Sequence, residues 1–241
     1  MRTLVIGDIH SGLRALFQVL ERAAVTSDDR LIFLGDYVDA WSDAVETIDF
    51  LIELNESHNC FFMRGNHDEL CKKWLLSGVD NPLWLAHGGL ATQKSYSNTS
   101  KTKKHSHIDF FESLKNYFLD TDNRLYLHAG YTNLKGIEFE YFEENFYWDR
   151  TLWELAKALN PKLFPEDKNY PKRLIHYNEI FIGHTPLSKT AIVKPEKRAN
   201  VWNIDTGAAF KGVLTIMDVD TKQFWQSDPV NTLYQNEKGR N

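Results

Sequence analysis

Thiols are scarce in this chain. Its 241 residues include two cysteines, Cys60 and Cys71, and no Cys-x-x-Cys pair, which excludes a disulfide scaffold and a closed thiolate zinc site. Both are read as small buried apolar residues in a reducing compartment. Long apolar runs are missing too: nothing approaches the roughly 18 residues that a membrane span needs. There is no basic excess either. Lys and Arg number 28 against 33 Asp and Glu, a formal net charge of −5, which argues against a general grip on nucleic acid. A small anionic substrate stays open, because bound metal ions can supply positive charge. No internal repeat and no linker composition is visible, so residues 1–241 are expected to form one domain. The first chemical motif begins at Gly7, and removal of a leader would destroy it, so a cytoplasmic location is expected. Hydrophobic residues make up 42% of the chain, enough for a sizeable core, and seven Trp promise ring faces along any cleft.

Alternation of elements gives the fold class. Thr-Leu-Val-Ile-Gly at 3–7 reads as a buried strand, followed by Leu13, Leu16, Phe17, Leu20 and Ala24 at helical spacing. Residues 31–35 form a second strand, Val45, Ile48, Leu51 and Ile52 a second helix, and residues 60–63 a third strand. This β-α-β-α-β pattern predicts an α/β fold with a parallel sheet and helices on its faces. The middle is less regular. Residues 98–107, polar and basic, are expected to be an exposed loop, with His105 and His107 solvated in it, ahead of a helix from about Asp109 and a strand at Arg124–Leu127. Strands are expected again at 180–182, 201–204, 213–219 and 223–225. The chain from about 229 to 241 reads as a polar tail.

Three strand ends carry similar punctuation: Gly7-Asp8-Ile9-His10, Gly35-Asp36-Tyr37-Val38-Asp39 and Gly65-Asn66-His67-Asp68. They lie about 30 residues apart, the length of one β-α-β unit, and right-handed crossovers bring such ends to one sheet edge. Two later strands end in His128-Ala129-Gly130 and Gly183-His184-Thr185-Pro186. A single string such as Gly-Asn-His-Asp arises by chance about once in 10⁵ positions, and it is the joint, spaced occurrence that carries meaning. Carboxylate oxygen, amide oxygen and imidazole nitrogen together suit first-row divalent metals. Asp36, central in the set, is the natural bridging ligand of a two-metal clamp, in which the ions lie about 3.5–4 Å apart. His87-Gly88-Gly89 imitates a ligand string, but His128 ends an apolar strand and is the preferred ligand.

These motifs resemble those of the calcineurin-like metallophosphoesterases, and specifically the phosphoprotein phosphatase branch with its bacterial and phage members. Trp148-Asp149-Arg150, Phe181 to Pro186 and Ile204-Asp205-Thr206-Gly207-Ala208 are similar to the second half of the phage lambda protein phosphatase. The resemblance implies a four-layer α/β/β/α sandwich and two divalent ions, Mn²⁺ first, with Fe or Zn as alternatives. It places Asp8 and His10 with Asp36 on one ion, and Asn66, His128 and His184 with Asp36 on the other. His67, oriented by Asp39, would protonate the leaving oxygen. Arg150 and Asn66 would hold phosphate, and Arg64 would contact it or orient the third motif.

The chain departs from the family at one place. The second motif normally continues Asp-Arg-Gly, whereas Asp39 is followed by Ala40-Trp41-Ser42, so one guanidinium of the phosphate clamp is missing. The space it leaves could admit a bulkier substrate against Trp41. The expected activity is hydrolysis of phosphomonoesters, phosphoserine and phosphothreonine proteins included, by attack of a metal-activated water. The rivals are a dinucleoside polyphosphate hydrolase, a small-nucleotide phosphodiesterase and, from another class, a weakly active metal-binding regulatory protein. The expected partner is a phosphorylated protein or small molecule, with no membrane.

Overall fold

The computed structural model describes residues 1–240. In chain order its strands are β1 Thr3–Ile6, β2 Arg30–Phe33, β3 Asn59–Phe62, β4 Tyr117–Leu119, β5 Arg124–Leu127, β6 Glu179–Ile182, β7 Glu196–Arg198, β8 Val201–Asn203, β9 Thr215–Asp218 and β10 Phe224–Gln226. Its α-helices are α1 Leu13–Arg22, α2 Ala44–Ser57, α3 Asn66–Ser77, α4 Pro82–Trp84, α5 Leu90–Ser95, α6 Lys101–Ser113, α7 Asn145–Trp148, α8 Thr151–Ala158 and α9 Val230–Leu233.

Two five-stranded mixed sheets result. The first runs β10-β9-β1-β2-β3 and the second β4-β5-β6-β8-β7. In the first, β1, β2 and β3 are parallel, with Val5 opposite Ile32 and Ile32 opposite Phe61, while β9 and β10 add antiparallel strands. In the second, β5, β6 and β8 are parallel, with antiparallel β4 and β7 at the edges. Side chains alternate between the faces of a strand, and that alternation sorts three cores. Leu4, Ile6, Leu31 and Phe33 pack outward with residues of α1 and α2. Val5, Ile32, Tyr126, Phe181 and Met217 meet between the sheets. Leu125, Leu127, Ile180 and Ile182 pack outward against Leu152, Trp153 and Ala156 of α8. The order of layers is therefore α/β/β/α, as the motif resemblance implies.

Two local expectations need correcting. Residues 98–107 are not a loop, because α6 begins at Lys101, where the Ser100 side chain accepts from the Lys103 N–H as an N-cap. His107, Phe110 and Phe111 share its buried face, so the basic residues are only the solvent side of an amphipathic helix. His107 is not solvated; its ring is held between the Tyr96 hydroxyl (2.7 Å) and Asp49 Oδ1 (3.0 Å). The polar tail also folds back. Val230 and Tyr234 are buried, Tyr234 stacks on Trp41, and its hydroxyl donates to Asp43 at 2.6 Å. No helix among the described residues is long and apolar enough to cross a membrane.

Candidate metal and phosphate site

The loops leaving β1, β2, β5 and β6, together with the start of α3 after β3, converge where the two sheets end together. The backbone there is unusual: His10, Ser11, Asp36, Asp39, Ala40 and His184 all take positive φ, between 52° and 77°. A left-handed conformation costs a residue with a Cβ about 1–2 kcal/mol, and such strain persists where the surroundings impose it, commonly at functional sites. Glycines supply the clearance beside them. A Cβ on Gly183 would overlap Asp8 Oδ1, and one on Gly65 would overlap the Asp36 backbone and carboxylate.

Asp36 lies at the centre, buried, with the His67 N–H donating to its Oδ1 at 3.0 Å. Its Oδ2 stands 3.5 Å from His10 Nε2 and 3.4 Å from His128 Nε2. Two groups of buried donors form around it, His10 with Asp36 and His67, and Asp36 with His128 and His184; within each, the ligand atoms lie within 4.8 Å of one another. Asn66 Oδ1 joins the second, 3.2 Å from His128 Nε2 and 2.9 Å from His184 Nδ1. Asp8 is buried, and its Oδ2 accepts the His184 N–H at 3.0 Å. His87 lies exposed at the cleft rim, in a π-helical turn at Leu85–Gly89, outside both groups.

The donor set suits a divalent cation on three observations. His10 Nδ1 and His128 Nδ1 sit 3.1 and 2.8 Å from the carbonyls of Val38 and Leu34. A carbonyl only accepts, so Nδ1 carries the proton and a neutral ring turns the Nε2 lone pair toward Asp36. Acceptors facing acceptors at this separation repel unless a cation or proton lies between them. Second, Asp8 Oδ1 and His184 Nε2 are buried without a hydrogen-bond partner. Third, burial and then the Asp205 carboxylate push Asp8 well above the usual carboxylate range, and Asp205 itself rises to about 6, mainly through burial. A carboxylate cluster that costly calls for a positive ion.

His67 is held differently. Its Nδ1 meets Asp39 Oδ2, and Asp39 is in turn held by Trp84 Nε1 at 2.7 Å and the Thr92 hydroxyl at 2.6 Å. A carboxylate on Nδ1 leaves Nε2 as the nitrogen that can present a proton to the cleft. Asp68, not singled out in the sequence, accepts the N–H groups of Asp36, Tyr37 and Gly65 at 2.8–2.9 Å and so sets the loop carrying Asp36. Arg150 lies at the cleft, where its Nη1 donates to the Thr185 hydroxyl at 3.0 Å. Arg64 is not brought there. It bonds the Leu114 carbonyl at 3.3 Å and pairs with Glu69 at 3.7 Å, partners that turn its guanidinium toward the end of α6 and fit the orienting role better than a phosphate contact. Trp41 is corrected, being fully buried with its indole N–H on the Ala208 carbonyl at 2.8 Å.

The calcineurin-like phosphoesterase family model matches residues 1–210. The chain belongs to that family. Its members use divalent metals, and membership makes the chain a metal-dependent phosphoric ester hydrolase. Among curated relatives, the bis(5'-nucleosyl)-tetraphosphatase PrpE of Geobacillus sp. (strain WCH70) is 24% identical over 233 residues, 89% of each chain. The serine/threonine-protein phosphatase PP1-delta of Caenorhabditis elegans is 36% identical over 67 residues, 27% of this chain and 22% of that one. Among solved structures, a serine/threonine phosphatase from Saccharomyces cerevisiae with similarity to human PP5 superposes with a TM-score of 0.61 at 16% identity, covering 95% of this chain and 80% of that one. It shares the fold.

Proposed function

We propose that the protein hydrolyses phosphomonoesters with a pair of divalent cations, Mn²⁺ foremost, and that phosphoserine and phosphothreonine side chains are among its substrates. The observation that carries this is the separation of two kinds of histidine in one cleft: acceptor imidazoles gathered round Asp36, and beside them His67, paired through Nδ1 with the Asp39 carboxylate. Asp8, His10 and Asp36 would hold one ion, and Asp36, Asn66, His128 and His184 the other. When bound, the cations neutralise phosphoryl charge and lower the pKa of a coordinated water from 15.7 to about 7. Arg150, with most of its donors still free at the rim, orients the phosphoryl oxygens, and Asn66 can contribute its amide N–H. The Asp39 carboxylate fixes the ring of His67 through Nδ1, so that Nε2 is placed to deliver a proton to the departing alkoxide. With neither ion assigned to His67 or Asp39, their pairing favours an enzyme over a passive metal-binding regulator.

A second reading is cleavage of a dinucleoside polyphosphate, supported by the match to a PrpE protein over 89% of each chain at 24% identity. Both readings use the same residues. Turnover of the Mn²⁺-loaded protein on a phosphoserine peptide, p-nitrophenyl phosphate, bis-p-nitrophenyl phosphate and diadenosine tetraphosphate separates them. Monoesters are expected to have the highest kcat/KM, and a preference for the anhydride by tenfold or more would overturn the monoesterase reading.

A further inference from the structure

The chain lacks an arginine after Asp39, yet the cleft contains a second guanidinium that no motif announces. Arg240, near the chain's end, lines the same cleft of about 310 Å³ as Asp36, Asn66, His67, Arg150 and His184. We infer that Arg240 is a substrate-binding residue, the second guanidinium of the phosphate site, delivered by the folded-back tail instead of by the loop after β2. This deepens the phosphomonoesterase reading and rests on it.

The tail is built as a strap. Arg14 holds the Leu233 carbonyl at 2.7 Å, and Tyr234 is tied to Asp43. Glu237 accepts from both the backbone N–H (2.8 Å) and the hydroxyl (2.7 Å) of Ser42, three residues beyond Asp39. Gly239 then turns with φ +58°, where a Cβ would overlap the Trp41 ring, and the Arg240 N–H donates to the Ala209 carbonyl at 2.9 Å. These contacts aim one side chain. The Arg240 stem passes the Gly88 backbone beside Ala40, and its guanidinium lies 5.3 Å over the Phe210 ring.

The guanidinium itself is uncommitted. Among the described residues it makes no hydrogen bond and no ion pair, although the chain has an excess of acidic groups. A ring face holds a guanidinium by its π surface and leaves its N–H edge available. Burial and then the charge of Arg240 hold the exposed His87 imidazole at the rim below its ordinary range, so the positive field reaches across the mouth of the cleft. With Arg150 this provides two planar donors for one phosphoryl dianion, the geometry for which arginine is suited. Ala40, with only a methyl group on that wall, leaves room for the tail.

The test is equilibrium binding of inorganic phosphate to the Mn²⁺-loaded full-length protein by calorimetry, paired with kcat and KM for p-nitrophenyl phosphate. Arg240→Ala is expected to weaken phosphate binding about 10- to 100-fold, as for one lost charge-assisted contact, and to raise KM more than it lowers kcat. Metal content and thermal midpoint should stay at wild-type values, and Arg240→Lys should recover part of the affinity. Arg150→Ala serves as the comparator. Wild-type phosphate affinity and KM in Arg240→Ala, with Arg150→Ala impaired, would overturn the inference and leave the monoesterase reading standing. Phosphate binding that depends on Arg240 in a protein that turns over no monoester would do the reverse. Absence of phosphate binding in the wild type would overturn the inference too.

Discussion

A backbone carbonyl decides what an imidazole can do. Val38 and Leu34 take the Nδ1 protons of His10 and His128 and leave lone pairs facing Asp36, whereas Nδ1 of His67 is paired with the Asp39 carboxylate. The proposed ligands and the proposed acid thus differ in what holds Nδ1, and substitution distinguishes their roles. His67→Ala is expected to keep metal content near that of the wild type and to cleave p-nitrophenyl phosphate, whose phenolate leaves without a proton. Turnover of a phosphoserine peptide should fall further, by about 10²–10⁴-fold. Equal losses in kcat/KM on both substrates at full metal loading would make His67 a positioning residue instead. At this scale the motif residues were legible because each lies just past a strand end in a short string that contains a glycine. The residues that hold Asp39 were not. Trp84 and Thr92 lie 45 and 53 positions away from it, and no local pattern connects them. Which of its two roles Arg64 takes was not legible either, because adjacency to a motif says nothing about where a long side chain turns.

Loops and helices show how the site is held in shape. Non-glycine residues in left-handed backbone lie next to glycines whose missing Cβ makes room for a carboxylate, and β6 gives a clean case. Gly183→Ala would drive a methyl group into Asp8 Oδ1, displacing Asp8 and, through its bond to the His184 N–H, the histidine as well. The expected result is loss of about one metal per chain and a fall in kcat/KM of at least tenfold; full metal content in that variant, measured by atomic emission, would show that the loop can yield. Strands β1, β2, β3, β5, β6 and β8 were readable from short apolar runs, and α1 and α2 from their spacing. Of helix α6 only the part from about Asp109 was; its first turns were missed because the buried face there is spread thinly through Lys, His and Ser, and the helix ends at Ser113, ahead of β4, and not at about Leu119 as its apolar residues suggest. The tail was read as solvent-facing on polarity alone; two buried side chains, Val230 and Tyr234, are enough to dock it and carry Arg240 to the cleft.

On the scale of the whole molecule, the candidate ligands divide between the sheets. Asp8, His10, Asp36 and Asn66 follow strands of the first, and His128 and His184 follow strands of the second. The parallel core of the first sheet could be inferred from alternation; that a second sheet packs face to face on it came from the resemblance, since sequence periodicity does not say which sheet a strand joins. Cations held as proposed would act as a clasp between the two sheets. Chelation should therefore lower the thermal midpoint by several degrees, because an ion present at 100 times its Kd stabilises by about 2.7 kcal/mol, worth roughly 2–4 °C per kcal/mol in a chain of this size. Asp36, the proposed shared ligand, offers the most direct test: metal stoichiometry and p-nitrophenyl phosphate turnover measured together in wild type and Asp36→Asn. Two ions per chain in the wild type, with loss of metal and nearly all turnover in Asp36→Asn, is the predicted result; two ions and unimpaired turnover in the variant would contradict a two-metal site centred on Asp36.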